Sequence, residues 1–149
     1  GHRFATLDNA CEITDDNIYV NSDWLLQQSN NPDETEVRML IYHEIRNLYQ
    51  RIGVKNFCER KSTKEPLPVL QKWQYEFEHY QRNEGGPTTL RYYSQSIEID
   101  AYAFAVYLLN MDLERGERLS LDTRSIPDEI DSAVRQRAYE IARQMSTNK

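Results

Sequence analysis

Apolar residues recur at helical spacing from about residue 34 to residue 51, and this pattern constrains the fold of the 149-residue chain more than any other. Successive apolar residues are 4, 4, 3 and 4 positions apart, which is typical of an amphipathic helix. These residues are Val37, Ile41, Ile45, Leu48 and Ile52. At about 100° per residue, the polar residues at positions 43 and 47 project from the opposite side. We therefore expect the apolar face to pack into the core and the polar face to line a cleft. Glycine at position 53 stands where a C-terminal cap is expected.

The polar face carries the sequence His43-Glu44-Ile45-Arg46-Asn47. A single position separates it from the zinc-protease signature His-Glu-x-x-His, in which two histidines bind zinc and the glutamate is general base to a metal-bound water. Here Asn47 stands where the second histidine is expected. Because an amide oxygen is a poorer zinc ligand than imidazole, we predict that zinc binds weakly or not at all. The segment indicates either a metal site that has been lost or an enzyme with one ligand substituted.

The bulk composition excludes several classes of protein. A net charge of −6 argues against nucleic-acid binding, because phosphate contacts need a basic face. No apolar run reaches the roughly 18 residues that span a bilayer, so we expect no membrane association. Cys11 and Cys58 are far apart and are expected to be free thiols in a reducing compartment, which predicts a cytoplasmic protein. We expect one domain over residues 1–149. The chain begins Gly-His without methionine, which suggests a processed chain or a piece of a longer protein.

The remaining segments predict an α+β fold that is mostly helical with a small N-terminal sheet. Residues 17–21 carry β-branched and aromatic residues between polar ends, which is typical of a short strand. Apolar periodicity predicts further helices over 68–83, 94–111 and 127–145. In the first of these, Val69, Trp73, Phe77 and Tyr80 form the expected buried stripe.

The helix predicted over 94–111 contains the sequence Glu98-Ile-Asp-Ala-Tyr-Ala-Phe-Ala. This segment resembles the third-ligand helix of gluzincin-type metallopeptidases, including the ImmA/IrrE-type peptidases and the CAAX prenyl-protease group. The resemblance covers residues 17–52 and 94–111. It implies a zincin-like fold, a zinc cofactor, and an edge strand at Ile18–Val20 that lies along the cleft and accepts an extended peptide.

The resemblance also assigns a role to each residue of the site. It implies that His43 is the first metal ligand, that Glu44 is the catalytic base, and that Asn47 occupies the position of the second ligand. Glu98 is then the third ligand. Asp100, which is also acidic and two residues away, is the competing candidate.

The same residues are also compatible with roles that need no metal. A buried His43 hydrogen-bonded to Glu98 or Asp100 accounts for the acidic and basic groups as an internal pair. Tyr102 is an auxiliary candidate, because a tyrosine hydroxyl in the cleft can donate to an oxyanion, and Tyr92 and Tyr93 are other candidates for the same role.

The sequence therefore predicts a zinc-dependent metallopeptidase that hydrolyses peptide bonds, with its activity in question because of Asn47. The alternative is a catalytically inactive pseudo-peptidase that binds a peptide or protein segment. A third interpretation is a helical structural domain without a site. Under the first two interpretations, the expected partner is a peptide or protein.

Overall fold

The computed structural model describes residues 11–14, 17–30, 34–117, 119 and 126–147, which form six helices and a two-stranded sheet. The elements are β1 (Cys11–Thr14), β2 (Asn17–Val20), α1 (Ser22–Gln28), α2 (Thr35–Cys58), α3 (Leu67–Glu78), α4 (Thr88–Ser94), α5 (Ser96–Glu114) and α6 (Asp128–Thr147). A mostly helical chain with a small N-terminal sheet is thus confirmed. Apolar periodicity does not predict α1 or α4, because each has only seven residues, too few to repeat a pattern.

The two strands form an antiparallel hairpin that contacts α2. Cys11 lies opposite Val20, and Thr14 lies opposite Asn17. The chain then enters α1 through Asn21, whose side-chain oxygen accepts hydrogen bonds from the backbone N–H groups of Asp23 and Trp24 at 3.0 and 3.4 Å. This N-cap satisfies donors that the first turn of a helix leaves free, and it fixes the position of Trp24 beside α2.

The main core lies where α2, α5 and α6 meet. Its buried residues are Met39, Ala103, Ala105, Leu109, Ile126, Ile130, Val134 and Ile141. A second cluster joins α3 to α2 and α5 through Leu70, Trp73 and Ile97. No helix in the described part of the chain has an apolar stretch long enough to cross a bilayer. Cys58, at the end of α2, is an exposed free thiol.

Helix α2 is oriented opposite to the expectation from its sequence. Its buried residues are Thr35, Met39, His43, Arg46 and Gln50, most of them polar. The apolar stripe is only half-buried at Val37, Ile41 and Leu48, and Ile45 and Ile52 are 42% and 45% exposed. The prediction that this stripe packs into the core was therefore wrong. The physical reason is that α5 presents buried carboxylates to α2, and buried charges need donors opposite them.

Two predicted helix ends also differ from the structure. Helix α2 continues through Gly53 to Cys58, so Gly53 is not a cap. A Cβ at position 53 would lie 3.4 Å from Leu70 Cδ2, an ordinary van der Waals contact, so this turn of α2 packs directly against α3. Helix α3 ends at Glu78 rather than at residue 83. Tyr80 lies beyond it and is 40% exposed, so its predicted burial in a helical stripe was wrong.

Candidate functional site

The imidazole of His43 and the carboxylate of Glu98 meet in the interior between α2 and α5. His43 Nε2 lies 2.9 Å from Glu98 Oε2, although 55 positions separate the residues. Both side chains are nearly inaccessible, at 7% and 2% exposure. The second oxygen of Glu98 accepts a hydrogen bond of 3.0 Å from the hydroxyl of Tyr80. Glu98 therefore accepts hydrogen bonds at both oxygens.

The other edge of the His43 ring faces two residues of its own helix. Nδ1 lies 3.4 Å from Glu44 Oε1 and 3.4 Å from the side-chain nitrogen of Asn47. Burial by itself lowers the pKa of His43. Hydrogen bonds to Glu44 and Glu98, together with their negative charges, outweigh that effect and raise the pKa to about 9. At neutral pH the ring is therefore an imidazolium held between two carboxylates.

Contacts from α3 and from the segment after it hold the first turn of α5 in place. The carboxylate of Glu76 accepts hydrogen bonds from the backbone N–H groups of Ser96 and Ile97 at 2.8 and 3.1 Å, and one from the Ser96 hydroxyl. A carboxylate at a helix N-terminus satisfies free donors and complements the helix dipole. The Gln95 side chain bonds both the N–H and the C=O of Gln81, at 2.9 and 3.0 Å. These contacts fix Glu98 and bring Tyr80 to it.

Asp100 belongs to a different cluster of charges. Arg46 Nε and Gln50 Nε2 donate to Asp100 Oδ2 at 2.8 and 2.7 Å, and Arg137 Nε donates to Oδ1 at 2.7 Å. Burial raises the pKa of Asp100, but hydrogen bonds and charge from Arg46, with Arg137 and Gln50, bring it below the ordinary value. Arg46 also lies 3.6 Å from Glu65. The structure thus brings Asp100 to arginines and brings Glu98 to His43.

Two cavities lie on either side of the wall formed by His43, Glu44 and Tyr92. A polar cavity of about 170 Å³ is lined by His43, Glu44, Asn47, Arg51, Phe77, Tyr80, Tyr92, Ile97 and Glu98. A more apolar cavity of about 230 Å³ is lined by Trp24, Glu36, Met39, Leu40, His43, Glu44, Tyr92 and Tyr102. All four positions matched to the zinc-protease pattern therefore face the polar cavity. Tyr102 lies in the other cavity, with its ring centroid 4.5 Å from that of His43.

Eight further residues line these cavities without having been predicted there: Trp24, Glu36, Met39, Leu40, Arg51, Phe77, Tyr80 and Ile97. Tyr80 lies outside both matched segments and outside regular helix, and Trp24 lies on α1, which is too short for apolar periodicity to predict, so no local spacing identifies them. Arg51 is two helical turns after Glu44, on the same side of α2, and this spacing was the available signal. Within the described residues, helices and the segment after α3 line both cavities, and β2 contributes no lining residue. The lining thus does not support the prediction that β2 lies along the cleft.

The residues present do not make up a complete zinc site. Catalytic zinc sites use three protein ligands. Here His43 supplies an imidazole and Glu98 a carboxylate, whereas Asn47 contributes only an amide. Across the described parts of the chain, no group of three or more His, Cys, Asp or Glu side chains is arranged to hold a metal. Of the three residues matched to zinc ligands, only His43 and Glu98 have side chains of the kind that such sites use.

Comparisons of the chain with models of protein families, with curated proteins and with solved structures find no match. Its function is therefore inferred from the residues of the site and their geometry.

Proposed function

We propose that this chain is a zincin-like domain that binds a peptide or protein segment at the His43 site and does not hydrolyse it. The observation that carries the proposal is the pairing of both His43 nitrogens with carboxylates beside two open cavities. The pairing accounts for the buried histidine without a metal, and the cavities leave room for a ligand.

The polar cavity has the groups that a peptide backbone needs. Asn47 and Arg51 offer N–H donors, and Glu44 offers a carboxylate acceptor, all on one side of α2. An extended segment has unpaired N–H and C=O groups that require such partners when they are desolvated. His43 and Glu98 form the floor of this cavity and hold each other in place, so they keep its shape.

Selection from a random peptide library with the purified protein tests this proposal. We expect enrichment of binding peptides that is lost in Asn47→Trp, because the larger side chain fills the polar cavity. Ser146→Trp is the matched control, since it adds the same group on an exposed position near the end of α6. Failure to enrich any peptide, or equal enrichment by both variants, would exclude binding at this site.

Zinc-dependent peptide hydrolysis is the second candidate function. It is favoured by the approach of His43 and Glu98 to 2.9 Å, with Glu44 on the same cavity. Under this proposal Glu44 accepts a proton from the attacking water. Metal analysis of protein purified without chelator separates the two candidates, because stoichiometric zinc favours hydrolysis.

The variant Asn47→His gives a further test that distinguishes peptide binding from zinc-dependent hydrolysis. Positions 43 and 47 are one helical turn apart, so an imidazole at 47 enters the site without a backbone shift. We expect calorimetry to detect tighter zinc binding. Linkage then stabilises the fold by about 2.7 kcal/mol when free zinc is at a hundredfold excess over Kd. Any hydrolysis gained should disappear in Asn47→His with Glu44→Gln, while zinc is retained. If Asn47→His binds no more zinc than the parent, His43 is not a ligand.

A further inference from the structure

The apolar cavity differs from the polar one in the side chains that close it. Its walls are the indole of Trp24, the side chains of Met39 and Leu40, and the rings of Tyr92 and Tyr102. These side chains come from α1, α2, α4 and α5, so four helices line it. Its volume of about 230 Å³ is below the roughly 300–1,000 Å³ of sites for whole small molecules. It is therefore sized for one large side chain.

Aromatic rings packed edge-to-face or at a tilt make one wall of this cavity rigid. The ring centroids of Tyr92 and Tyr93 are 4.8 Å apart and those of Tyr93 and Tyr102 are 6.0 Å apart. Tyr102 in turn packs on the ring of His43. Because each ring is held by the next, the wall keeps its shape without a ligand, and a preformed pocket loses little conformational entropy on binding.

The chemistry of these walls favours an aromatic occupant over an aliphatic or acidic one. Indole and phenol edges form favourable contacts with an inserted ring, and the Met39 thioether adds a sulfur–aromatic contact. The ring of His43 also lines this cavity, 4.5 Å between centroids from that of Tyr102, and adds another aromatic contact. The carboxylates of Glu36 and Glu44 line the same cavity and repel an acidic side chain.

We propose that the apolar cavity is an anchor pocket that selects an aromatic side chain of the bound segment. This inference rests on the proposed function, because it names the kind of peptide that the His43 site accepts. The segment then runs past Glu44 and Tyr92, with its aromatic residue in this pocket and its backbone toward the polar cavity.

The first test compares peptides selected from the random library, resynthesised with Trp, Leu, Ala or Asp at the most constrained position. We expect the Trp form to bind best and the Asp form worst. The Trp form should bind at least about 30-fold more tightly than the Ala form, as for truncated hot-spot residues. Tight binding by peptides without any aromatic preference overturns the anchor pocket and leaves peptide binding intact. If no peptide is selected at all, the proposed function fails and the pocket fails with it.

The two tryptophans of the chain supply an internal control for location. Trp24 lines the apolar cavity, whereas Trp73 is 2% exposed in the second core cluster. On titration with the Trp-containing peptide, we expect the indole N–H resonance of Trp24 to shift and that of Trp73 to stay. Movement of both resonances, or of neither, contradicts insertion into this cavity.

A pair of matched variants completes the test. Leu40→Trp narrows the apolar cavity, and Val69→Phe narrows a separate cavity of about 200 Å³ lined by Val69, Trp73 and Arg137. We expect the aromatic preference to be lost only in Leu40→Trp. Retention of the preference in a folded Leu40→Trp overturns the proposal. If Leu40→Trp does not fold, the comparison of peptides and the shift of the Trp24 resonance test the anchor pocket instead.

Discussion

Two of the ion pairs that join α2 to α5, His43–Glu98 and Arg46–Asp100, differ in how completely their carboxylates are surrounded by donors. Asp100 accepts from Arg46, Gln50 and Arg137, which come from two other helices. Glu98 accepts from His43 and from the hydroxyl of Tyr80, a residue that is 40% exposed. The first pair is a structural link between three helices. The second is a buried pair that borders the polar cavity between α2, α3 and α5, whereas Asp100 and Arg137 border the separate cavity beside Val69.

The difference between the two pairs shows why chemical type alone does not separate structural from functional charges. Both carboxylates are 2% exposed, and both lie on the first two turns of α5. Only their partners differ: two guanidinium groups hold Asp100, whereas an imidazole with a raised pKa holds Glu98. Removing a charge should therefore have different effects in the two places.

The largest effect is expected from Asp100→Asn. Loss of this carboxylate leaves Arg46 and Arg137 without their main buried partner, and breaking a buried pair costs about 3–5 kcal/mol. Urea unfolding measures the change in the free energy of unfolding. A loss below about 1 kcal/mol would show that Glu65, which lies 3.6 Å from Arg46, is sufficient by itself.

The pH dependence of stability tests the other pair. The pKa of His43 is raised to about 9 in the folded chain from an ordinary value of 6.5. The folded state thus holds this proton more tightly than the unfolded state. The resulting stability is fully present below pH 6.5 and is lost as pH rises through 9. The total loss is on the order of 3 kcal/mol.

Urea unfolding at several values between pH 6 and pH 9.5 measures this slope, and Glu98→Gln is its control. Removing the Glu98 charge lowers the pKa of His43, so the variant should lose less stability over the same range. Parallel curves for the parent and the variant would mean that Glu98 does not set the protonation of His43.

A smaller effect is expected from Tyr80→Phe, which removes the hydroxyl donor to Glu98. We expect a loss of about 0.5–1 kcal/mol, because water can replace a partly exposed donor. Tyr49→Phe is the matched variant beside the Asp100 cluster, where the Tyr49 hydroxyl donates to Glu65 at 2.8 Å. Tyr49→Phe should lose more free energy of unfolding, about 1–1.5 kcal/mol, as measured by urea unfolding. The reverse order would contradict the more open character of the His43 site.

The smallest effect is expected from Asp131→Asn on α6. Its pair with Arg135 has an N–O distance of 2.8 Å, but both side chains are well exposed, at 39% and 73%. Exposed pairs one helical turn apart contribute about 0.3–0.5 kcal/mol. Thermal unfolding measures the stability lost in this variant. That loss is the reference for the effects expected at Asp100, at the His43–Glu98 pair and at Tyr80. A loss above about 1 kcal/mol would show that exposure is a poor guide to ion-pair strength here.

Much of the helical content could be predicted from local pattern, but some boundaries could not. The apolar spacing identified α2, α3, α5 and α6, because amphipathic helices repeat their pattern over several turns. The prediction that Gly53 ends a helix was wrong, because α2 continues to Cys58 and packs against Leu70 of α3 at this turn. That packing depends on a neighbour that the local sequence does not contain.

The candidate site could likewise be predicted only in part from the sequence. The i, i+4 spacing indicated that His43 and Asn47 share a face of α2, and the structure has them in contact with each other. Spacing left Glu98 and Asp100 as competing partners, because both lie at the start of α5. The packing angle between the two helices, which neither helix encodes alone, brings Glu98 to His43 and Asp100 to Arg46.

The sequence by itself determined which residues share a face of each helix, because backbone geometry fixes that relation within a few residues. Only the tertiary structure decided that the polar face of α2 turns inward and that its apolar stripe stays partly exposed. Burial of a face depends on what lies opposite it. Here buried carboxylates on α5, about fifty positions further along the chain, need the imidazole, guanidinium and amide groups of α2 as partners.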